Sequence, residues 1–316
     1  MVSSEKRKGL LKNYSKMEIK KFPFVACLLA FPILQFLVFY LYININSFIL
    51  GMTDLQGEWN FKYIKIVLEE FSRDGNNLWA YLGRSVFQWL ISTFVCFPIA
   101  ILFAYALFKK VKFEMFFRVL FCLPGIIGVV VFASLFTFVV AADGPIVTLL
   151  EKIGIQPSEQ LYLFGFLHYE KTSFATVTMF GIWLALSSDL IVLTGALTRI
   201  PEEIFESGRL EGIGFFREFF QMVIPLIWPT ISTLLVFRLA AITTFDYGTF
   251  VLLGETVTTD IQTMGYYLFM LTYNVSRGTE VANKPAALGL IITIVTVPVV
   301  LVIRWLIDKF TDSVEY

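Results

Sequence analysis

Residues 203–225 read EIFESGRLEGIGFFREFFQMVIP and place charged side chains and three glycines between two long apolar segments. The stretch follows Pro201, whose missing N–H suits the first turn of a helix, and it opens with acidic residues, which the positive end of a helix dipole favours. The glycines permit a tight bend, and phenylalanines recur at near-helical spacing from Phe215 onward. The pattern therefore predicts a short helix, a turn and a second helical piece that leads to Pro225.

The rest of the chain is unusually apolar for its 316 residues. Hydrophobic residues make up 57% and charged residues 16%, whereas a soluble domain carries about a quarter of charged residues. Charge-free runs recur that are long enough to cross a bilayer, which takes about 20 apolar residues of helix. The segments show no sustained alternation of apolar and polar residues, the pattern of membrane strands. We therefore predict an all-α integral membrane protein with six transmembrane helices.

The predicted membrane domain covers 23–310 and lies between a basic tail at 1–22 and a short tail at 311–316. The predicted spans are about 24–49, 85–108, 115–142, 174–197, 223–248 and 286–307, and a loop at 199–222 joins the fourth span to the fifth. The first apolar run is too long for the core of a signal peptide and lacks a clear cleavage site, so we expect it to be a retained span.

The orientation follows from the distribution of lysine and arginine. With six spans, both termini share one side with the loops at 109–118 and 199–217. Sixteen basic residues fall on that side, against eight on the other. Because cytoplasmic loops carry the excess of basic residues, we expect both termini and the 199–222 loop to lie in the cytoplasm.

Sequence motifs for catalysis are missing. We find no phosphate-binding loop, nucleophile elbow, metalloprotease helix or dinucleotide fingerprint. The only histidine, His168, and the cysteines Cys27, Cys96 and Cys122 form no metal-binding pattern. We therefore expect no catalytic residue, no metal and no cofactor bound by this chain, and no nucleic-acid partner. Any ATP, with its Mg, would have to bind to a partner subunit.

The 203–225 stretch resembles the E-A-A–x3–G–x9–I-x-L-P signature of ABC importer permeases, the membrane subunits of binding-protein-dependent uptake systems. Glu206, Gly212 and Pro225 stand at its Glu, Gly and Pro positions with the same spacing. The preceding LTGALTRIPEEIFES (193–207) is similar to the approach to this signature in the carbohydrate-uptake branch. The stretches GEWNFKYIKIVL (57–68) and FDYGTFVLLGETVTTDIQTMGYYLF (245–269) resemble outer-loop elements of the same branch.

The chain also departs from the family pattern. Residues that differ from the signature are Ser207, Gly208, Glu211, Ile213, Met222 and Ile224. A glycine-rich turn with proline, expected after the fifth span, is missing. Since glycine weakens a helix by up to about 1 kcal/mol relative to alanine, Gly208 suggests an unusually flexible turn.

The resemblance implies a permease subunit of an ATP-driven importer in the bacterial cytoplasmic membrane. Such a subunit translocates a carbohydrate, here an oligosaccharide, that an extracellular solute-binding protein delivers. It pairs with a second, homologous permease, and two ATPase subunits dock on the loop before the fifth span, the coupling helix. The residues that the resemblance assigns to this docking element are Glu206, Ser207, Gly208, Arg209, Glu211, Gly212 and Pro225.

Charged and aromatic residues in or near the spans are candidates for the substrate path, because a charge inside a membrane is costly and is usually functional. The candidates are Arg238, Phe245, Asp246, Tyr247 and Trp183. Arg238 could instead form a buried pair with Asp189 or with a group of a partner chain, and for Asp189 we favour a gating or packing contact. Tyr247 could be a headgroup anchor and Trp183 a packing residue, so both alternatives stay open.

Rival functions differ in what they require of the sequence. Within the importer class, the solute could be a phosphorylated polyol or a peptide-like molecule. A secondary transporter would be expected to show an internal repeat, and it would leave the 203–225 signature without a purpose. A membrane-embedded enzyme would need titratable groups at one depth, whereas Asp189, Arg238 and Asp246 lie at different predicted depths.

Overall fold

The computed structural model describes residues 27–310 except 74, 76, 256 and 279, and leaves out the side chains of Asp308 and Phe310. The predicted tails at 1–22 and 311–316 lie outside the described residues. The regular structure of the described part is helical, apart from an isolated bridge between Thr53 and Trp59. The helices are α1 (Cys27–Met52), α2 (Lys62–Ser72), α3 (Leu78–Phe108), α4 (Glu114–Ile126), α5 (Val129–Val140), α6 (Pro145–Lys152), α7 (Glu159–His168), α8 (Glu170–Leu197), α9 (Glu202–Leu210), α10 (Phe215–Ala240), α11 (Thr249–Leu253), α12 (Met264–Ser276) and α13 (Asn283–Phe310).

Six helical stretches of the described chain are long and apolar enough to cross a membrane. They are Cys27–Met52, Leu78–Phe108, Val129–Lys152, Glu159–Leu197, Phe215–Ala240 and Asn283–Ile307. The prediction of an all-helical protein with six apolar segments is therefore confirmed, and the chain is a multi-pass membrane protein.

The region predicted as the third span, 115–142, consists of two helices. Helix α4 ends at Ile126 and α5 begins at Val129, because Ile127 and Gly128 turn to extended ψ angles of 137° and 135°. Pro124 contributes to this break, since it lacks the N–H that would continue the helical hydrogen bonds. The long apolar run in the sequence hides this interruption.

Helices α3 and α10 each contain a π-helical turn that ends two residues before a proline. The turns are Ile91–Cys96, before Pro98, and Phe219–Val223, before Pro225. A proline ring clashes with the carbonyl four residues earlier and removes a backbone donor, so the preceding turn widens. Pro225 therefore shapes the π-helical turn inside α10, near the end of the quoted stretch.

The larger of two compact units comprises Val67–Val281 together with the residues from Ile291 onward. Helix α8 passes through both of its hydrophobic clusters. The first cluster joins α8 to α3, α9 and α10, and includes Leu190, Leu197, Phe205 and Phe219. The second joins α8 to α5 and to the connection after α10, and includes Phe132, Phe180 and Tyr247.

The smaller unit comprises the described residues up to Ile66 and the segment Ala282–Leu290. Its two parts are joined by Asn283, whose Nδ2 donates to the carbonyl oxygens of Leu50 at 3.0 Å and Thr53 at 2.8 Å. The candidate site residues all belong to the larger unit.

Candidate functional site

Helix α9 has one face in solvent. Pro201 precedes it, Glu202 and Glu203 occupy its first turn, and Arg209 lies in its last turn, so that each charge complements the helix dipole. The side chains of Glu206, Ser207 and Arg209 are exposed. Leu210 is 91% exposed, although it is a large apolar residue. The exposed side of α9 thus carries both charged and apolar side chains.

The opposite face of α9 is anchored by one aromatic side chain. Phe205 is 2% exposed, and its ring centroid lies 5.2 Å from that of Phe108 at the end of α3. The Nζ of Lys109 lies 4.8 Å from the Phe205 ring centroid, and the same nitrogen lies 2.5 Å from Oε1 of Glu218 in α10. Phe205 and Lys109 thus fix α9 against two long helices.

The turn after α9 requires glycine at 212. Gly212 has φ of +70°, its N–H donates to the Arg209 carbonyl at 3.1 Å, and the N–H of Ile213 donates to the Gly208 carbonyl at 3.1 Å. This pair of bonds is the Schellman arrangement, which ends a helix on a left-handed residue. A Cβ at Gly212 would meet no atom within 4 Å, so the need for glycine comes from backbone conformation alone.

Gly208, the residue that suggested a flexible turn, is buried within α9. A Cβ added there would lie 3.1 Å from Sδ and 3.2 Å from Cε of Met222. Gly208 and Met222 both differ from the family signature, and the structure places them next to each other. Met222 fills the space that an alanine side chain would occupy.

Two cavities flank α9, and their charges are opposite in sign. One, of about 530 Å³, carries the basic residues Lys109, Lys110 and Arg209 with Glu202 as the acidic member. The other, of about 430 Å³, carries Glu203 and Glu211 and no basic residue. The exposed side of α9 is therefore bordered by a positive and a negative recess.

Arg238 forms a buried ion pair with Asp189 through Nη2 and Oδ2. Its Nη1 donates to Ser92 Oγ at 2.5 Å and to the Ser92 carbonyl at 3.1 Å. The guanidinium carbon lies 4.7 Å from the Phe97 ring centroid. Of the alternatives left open by the sequence, the structure forms the intramolecular pair, which joins α10 to α3 and α8.

The carboxylate of Asp246 holds the connection between α10 and α12. Its Oδ2 accepts from the N–H groups of Gly248 and Thr249 at 2.9 Å and 2.8 Å, and its Oδ1 accepts from the hydroxyls of Thr249 and Thr263 at 2.5 Å and 2.7 Å. Thr263 in turn caps α12 by accepting from the Tyr266 N–H at 3.2 Å. Burial, together with the carboxylates of Asp246 and Glu255, raises the pKa of Tyr266 to about 12, so its hydroxyl stays protonated.

Phe245 and Tyr247 are held by the polar face of α3. Ser85 Oγ donates to the Phe245 carbonyl at 2.8 Å, and Gln88 Oε1 accepts from the Tyr247 N–H at 3.3 Å. Tyr247 is 4% exposed, and its ring lies so close to Gly181 that any side chain at 181 would overlap it. Phe245 packs edge-on to Tyr247, with 5.0 Å between centroids, and stays half-buried.

Helix α3 has a polar face that was not predicted from the sequence. Ser85, Gln88 and Ser92 are buried, and each binds the segment from Arg238 to Met264. Their spacing of three and four residues places them on one side of a helix. That spacing, in an otherwise apolar span, was the signal that could have found them.

Trp183 is half-buried between helices. Its Nε1 donates to the Leu120 carbonyl at 3.1 Å, and its ring packs edge-on to Phe132 at a centroid distance of 5.0 Å. The geometry supplies a packing contact and leaves part of the ring accessible. Within the described residues, no group of three or more His, Cys, Asp or Glu side chains is arranged to hold a metal ion.

Comparison with known proteins places this architecture among transporters. No protein-family model matches the chain. It is 29% identical to the probable ABC transporter permease protein YurN of Bacillus subtilis (strain 168), over 36% of this chain and 38% of that protein. It is 28% identical to the sulfoquinovosyl glycerol transport system permease protein SmoG of Agrobacterium fabrum (strain C58), over 39% of this chain and 41% of that protein. The chain thus spans about two fifths of the length of these curated relatives.

The fold is shared over nearly the whole chain with a solved structure. A bacterial ABC transporter involved in the import of the acidic polysaccharide alginate superposes with a TM-score of 0.75 and 22% identity, covering 95% of this chain and 100% of that chain. A structure of a bacterial alginate ABC transporter in complex with alginate pentasaccharide-bound periplasmic protein gives 0.75 and 20%, covering 94% and 98%. The predicted resemblance to ABC importer permeases is confirmed: the chain is similar in sequence to part of the permease proteins of ABC transporters, including one for a sugar derivative, and it shares its fold with a solved ABC transporter structure.

Proposed function

We propose that this chain is the transmembrane permease subunit of an ATP-driven importer of carbohydrate, and that α9 is the coupling helix on which a separate ATPase subunit docks. The observation that carries the proposal is the two-sided character of α9. Phe205 is buried against the end of α3, whereas Leu210 is 91% exposed next to charged side chains. A large apolar side chain exposed at the tip of a well-anchored helix, with charges around it, suits a protein-docking surface.

The charges around Leu210 favour a partner with both signs of charge at its cleft. The basic recess beside Arg209 would accept acidic groups of the ATPase, and the acidic recess with Glu203 and Glu211 would accept basic groups. Such complementary charges set orientation and register more than affinity. In this arrangement Glu206 and Ser207 bond to the ATPase, and Gly208, Gly212 and Pro225 shape the helix that presents them.

The carbohydrate assignment is supported by relatives whose names concern sulfoquinovosyl glycerol and alginate. Within that class we favour an oligosaccharide, since alginate pentasaccharide is the ligand of the periplasmic protein in one of the matching structures. A secondary transporter would give the exposed side of α9 no partner to bind.

The complete transporter, in this proposal, contains a second homologous permease, two ATPase subunits that bind ATP and Mg, and an extracellular solute-binding protein. The chain lies in the bacterial cytoplasmic membrane with both termini in the cytoplasm, as the excess of basic residues on that side favours. This orientation puts α9 on the side where ATP is available. The membrane subunit itself performs no hydrolysis.

For the substrate path, we assign two roles to the five candidate residues. The half-buried rings of Phe245 and Trp183 offer apolar surface to a sugar face. Arg238 and Asp246 hold the wall of the path in shape, because their side-chain polar groups already bind other parts of the chain. Tyr247 does so through its backbone N–H and its buried ring, which packs against Gly181. Asp189 acts through its pair with Arg238, as a packing or gating contact.

Docking is tested by co-purification of this chain with its cognate ATPase subunit, followed by ATP hydrolysis of the reconstituted complex. Leu210→Asp and Glu206→Lys should each abolish co-purification, since they place charge or the wrong charge on the docking face. Lys112→Glu, an exposed charge reversal outside α9, is the matched control and should retain the ATPase. Normal co-purification and hydrolysis with both α9 variants would show that α9 is not the docking element.

The solute is tested separately by screening the cognate solute-binding protein against oligosaccharides, monosaccharides and phosphorylated polyols. Binding of an oligosaccharide is the expected result. Binding of a phosphorylated polyol alone would refute the carbohydrate assignment and leave the docking proposal intact.

A further inference from the structure

Lys109, directly after α3, contacts both α9 and α10. Its Nζ lies 2.5 Å from Oε1 of Glu218 in α10 and 4.8 Å from the Phe205 ring centroid in α9. The Glu218 side chain is only 5% exposed and that of Lys109 18%. A charge pair so shielded from water is weakly screened, so α3, α9 and α10 are held together through this point.

Aromatic packing around the pair ties it to the body of α3. Tyr105 is fully buried, and its ring centroid lies 4.7 Å from that of Phe215 and 5.2 Å from that of Phe219. Both phenylalanines flank Glu218 at the start of α10. The contact between α3 and α10 therefore combines the Lys109–Glu218 ion pair with the packed rings of Tyr105, Phe215 and Phe219.

The same helix, α3, carries the polar face described above. Ser92 binds Arg238, and Ser85 binds the carbonyl of Phe245. From Lys109 to Ser92 is 17 residues, or about 25 Å along a helix at 1.5 Å per residue. Packed helices are among the elements that carry coupling between distant sites, and between Lys109 and Ser92 helix α3 is interrupted by its π-helical turn at Ile91–Cys96 and by Pro98. Helix α3 thus links α9 with the residues assigned to the substrate path.

We propose that Lys109, through its pair with Glu218 of α10 and its contact with the Phe205 ring of α9, is the mechanical link by which a movement of α9 and of the start of α10, imposed by the ATPase, is passed to α3. Lys109 and Glu218 are positioning residues in this scheme, since neither is assigned a contact with solute or nucleotide. The inference rests on the proposed docking function of α9. Loss of the pair should separate two events that normally occur together, ATP hydrolysis by the docked ATPase and rearrangement of α3.

The test uses the full chain with its ATPase subunits, reconstituted in liposomes. The three native cysteines are replaced by alanine, and Trp79→Cys introduces a probe at the exposed far end of α3. The rate of labelling with a water-soluble maleimide is compared without nucleotide and with MgATP plus vanadate. ATPase co-purification and ATP hydrolysis are measured on the same samples.

Lys109→Met should keep the ATPase bound and hydrolysing while the nucleotide-dependent difference in labelling is lost. Lys109→Arg, and the reversed pair Lys109→Glu with Glu218→Lys, should restore that difference, which a purely structural role would not predict. Lys112→Met, a neighbouring exposed lysine, is the matched control and should behave as the parent chain.

If Lys109→Met fails to assemble, the doubly neutral variant Lys109→Met with Glu218→Gln replaces it, because removal of both charges leaves no unpaired buried charge. Persistence of the labelling difference in an assembled variant that lacks the pair would overturn the inference. Loss of ATPase binding in the Leu210→Asp and Glu206→Lys variants is a separate result, so failure of the link and failure of the docking proposal are distinguishable.

Discussion

Two regions of the molecule use charge in opposite ways. Around Arg238, buried polar groups bind one another, and the guanidinium has partners in Asp189, Ser92 and Phe97. Around α9, Glu206, Arg209 and Glu211 point to solvent beside the exposed Leu210. The buried ion pair of Arg238 holds helices in place, whereas exposed charge beside an apolar tip is surface available to a partner. The difference separates a part that maintains the fold from the part that we propose receives the force of the ATPase.

The largest effect is expected from breaking the interior network. Arg238→Met leaves the Asp189 carboxylate unpaired in a buried setting, which costs about 3–5 kcal/mol in comparable buried pairs. The midpoint temperature of thermal unfolding of the purified variant in detergent should be clearly lower than that of the parent chain. The double variant Arg238→Met with Asp189→Leu should recover most of the difference, because neither charge remains. Equal stability of the single and double variants would contradict an intramolecular pair.

A smaller effect is expected at the turn after α9. Gly212→Ala forces a residue with a Cβ into a left-handed conformation, which costs about 1–2 kcal/mol. Gly154→Ala is a matched control, since Gly154 has φ of +86° and open space around its Cα. Both variants should lose similar stability in thermal unfolding, and only Gly212→Ala should lower co-purification of the ATPase. Equal ATPase binding in the two variants would show that the turn matters for stability alone.

The smallest effect is expected inside α9. Gly208→Ala gains helix propensity of up to about 1 kcal/mol, offset by the approach to Met222 at 3.1 Å. Combined with Met222→Ile, which removes the methyl end of that side chain, the gain should appear as a higher unfolding midpoint. A single Gly208→Ala variant that is as stable as the double would mean that Met222 moves away at no cost.

Much of the fold could be predicted, because the length of an apolar run is a direct consequence of bilayer thickness. The apolar runs predict the six helical segments. The acidic residues at the start of 202–212 and the glycine at its end predict α9. Interruptions were not visible in the same way. Ile127 and Gly128 break the third apolar run, although both are compatible with a span by composition. Helix α10 ends at Ala240, although the sequence remains uncharged as far as Phe245.

The charged residues of the site could be predicted from the sequence, whereas its uncharged polar residues could not. Arg238 and Asp189 are conspicuous in an apolar chain, so their pairing could be foreseen as one alternative. Ser85, Gln88 and Ser92 were missed because an uncharged polar residue inside a span has several ordinary explanations, such as bonding to its own helix. Their partners lie about 150 to 180 residues away in sequence, and proximity at that separation follows only from the assembled fold.

The π-helical turn at Phe219–Val223 also rotates the residues of α10 that follow it, about the helix axis, relative to the residues that precede it. In an α-helix each residue advances by about 100° around the axis, and a π turn inserts one residue beyond that count. The face that carries Glu218 is thereby rotated relative to the face that carries Arg238 twenty positions later. Both residues meet α3, one at Lys109 and the other at Ser92. The widened turn before Pro225 therefore changes the rotation of α10 between Glu218 and Arg238. Helix α10 contacts α3 at both of these widely separated positions.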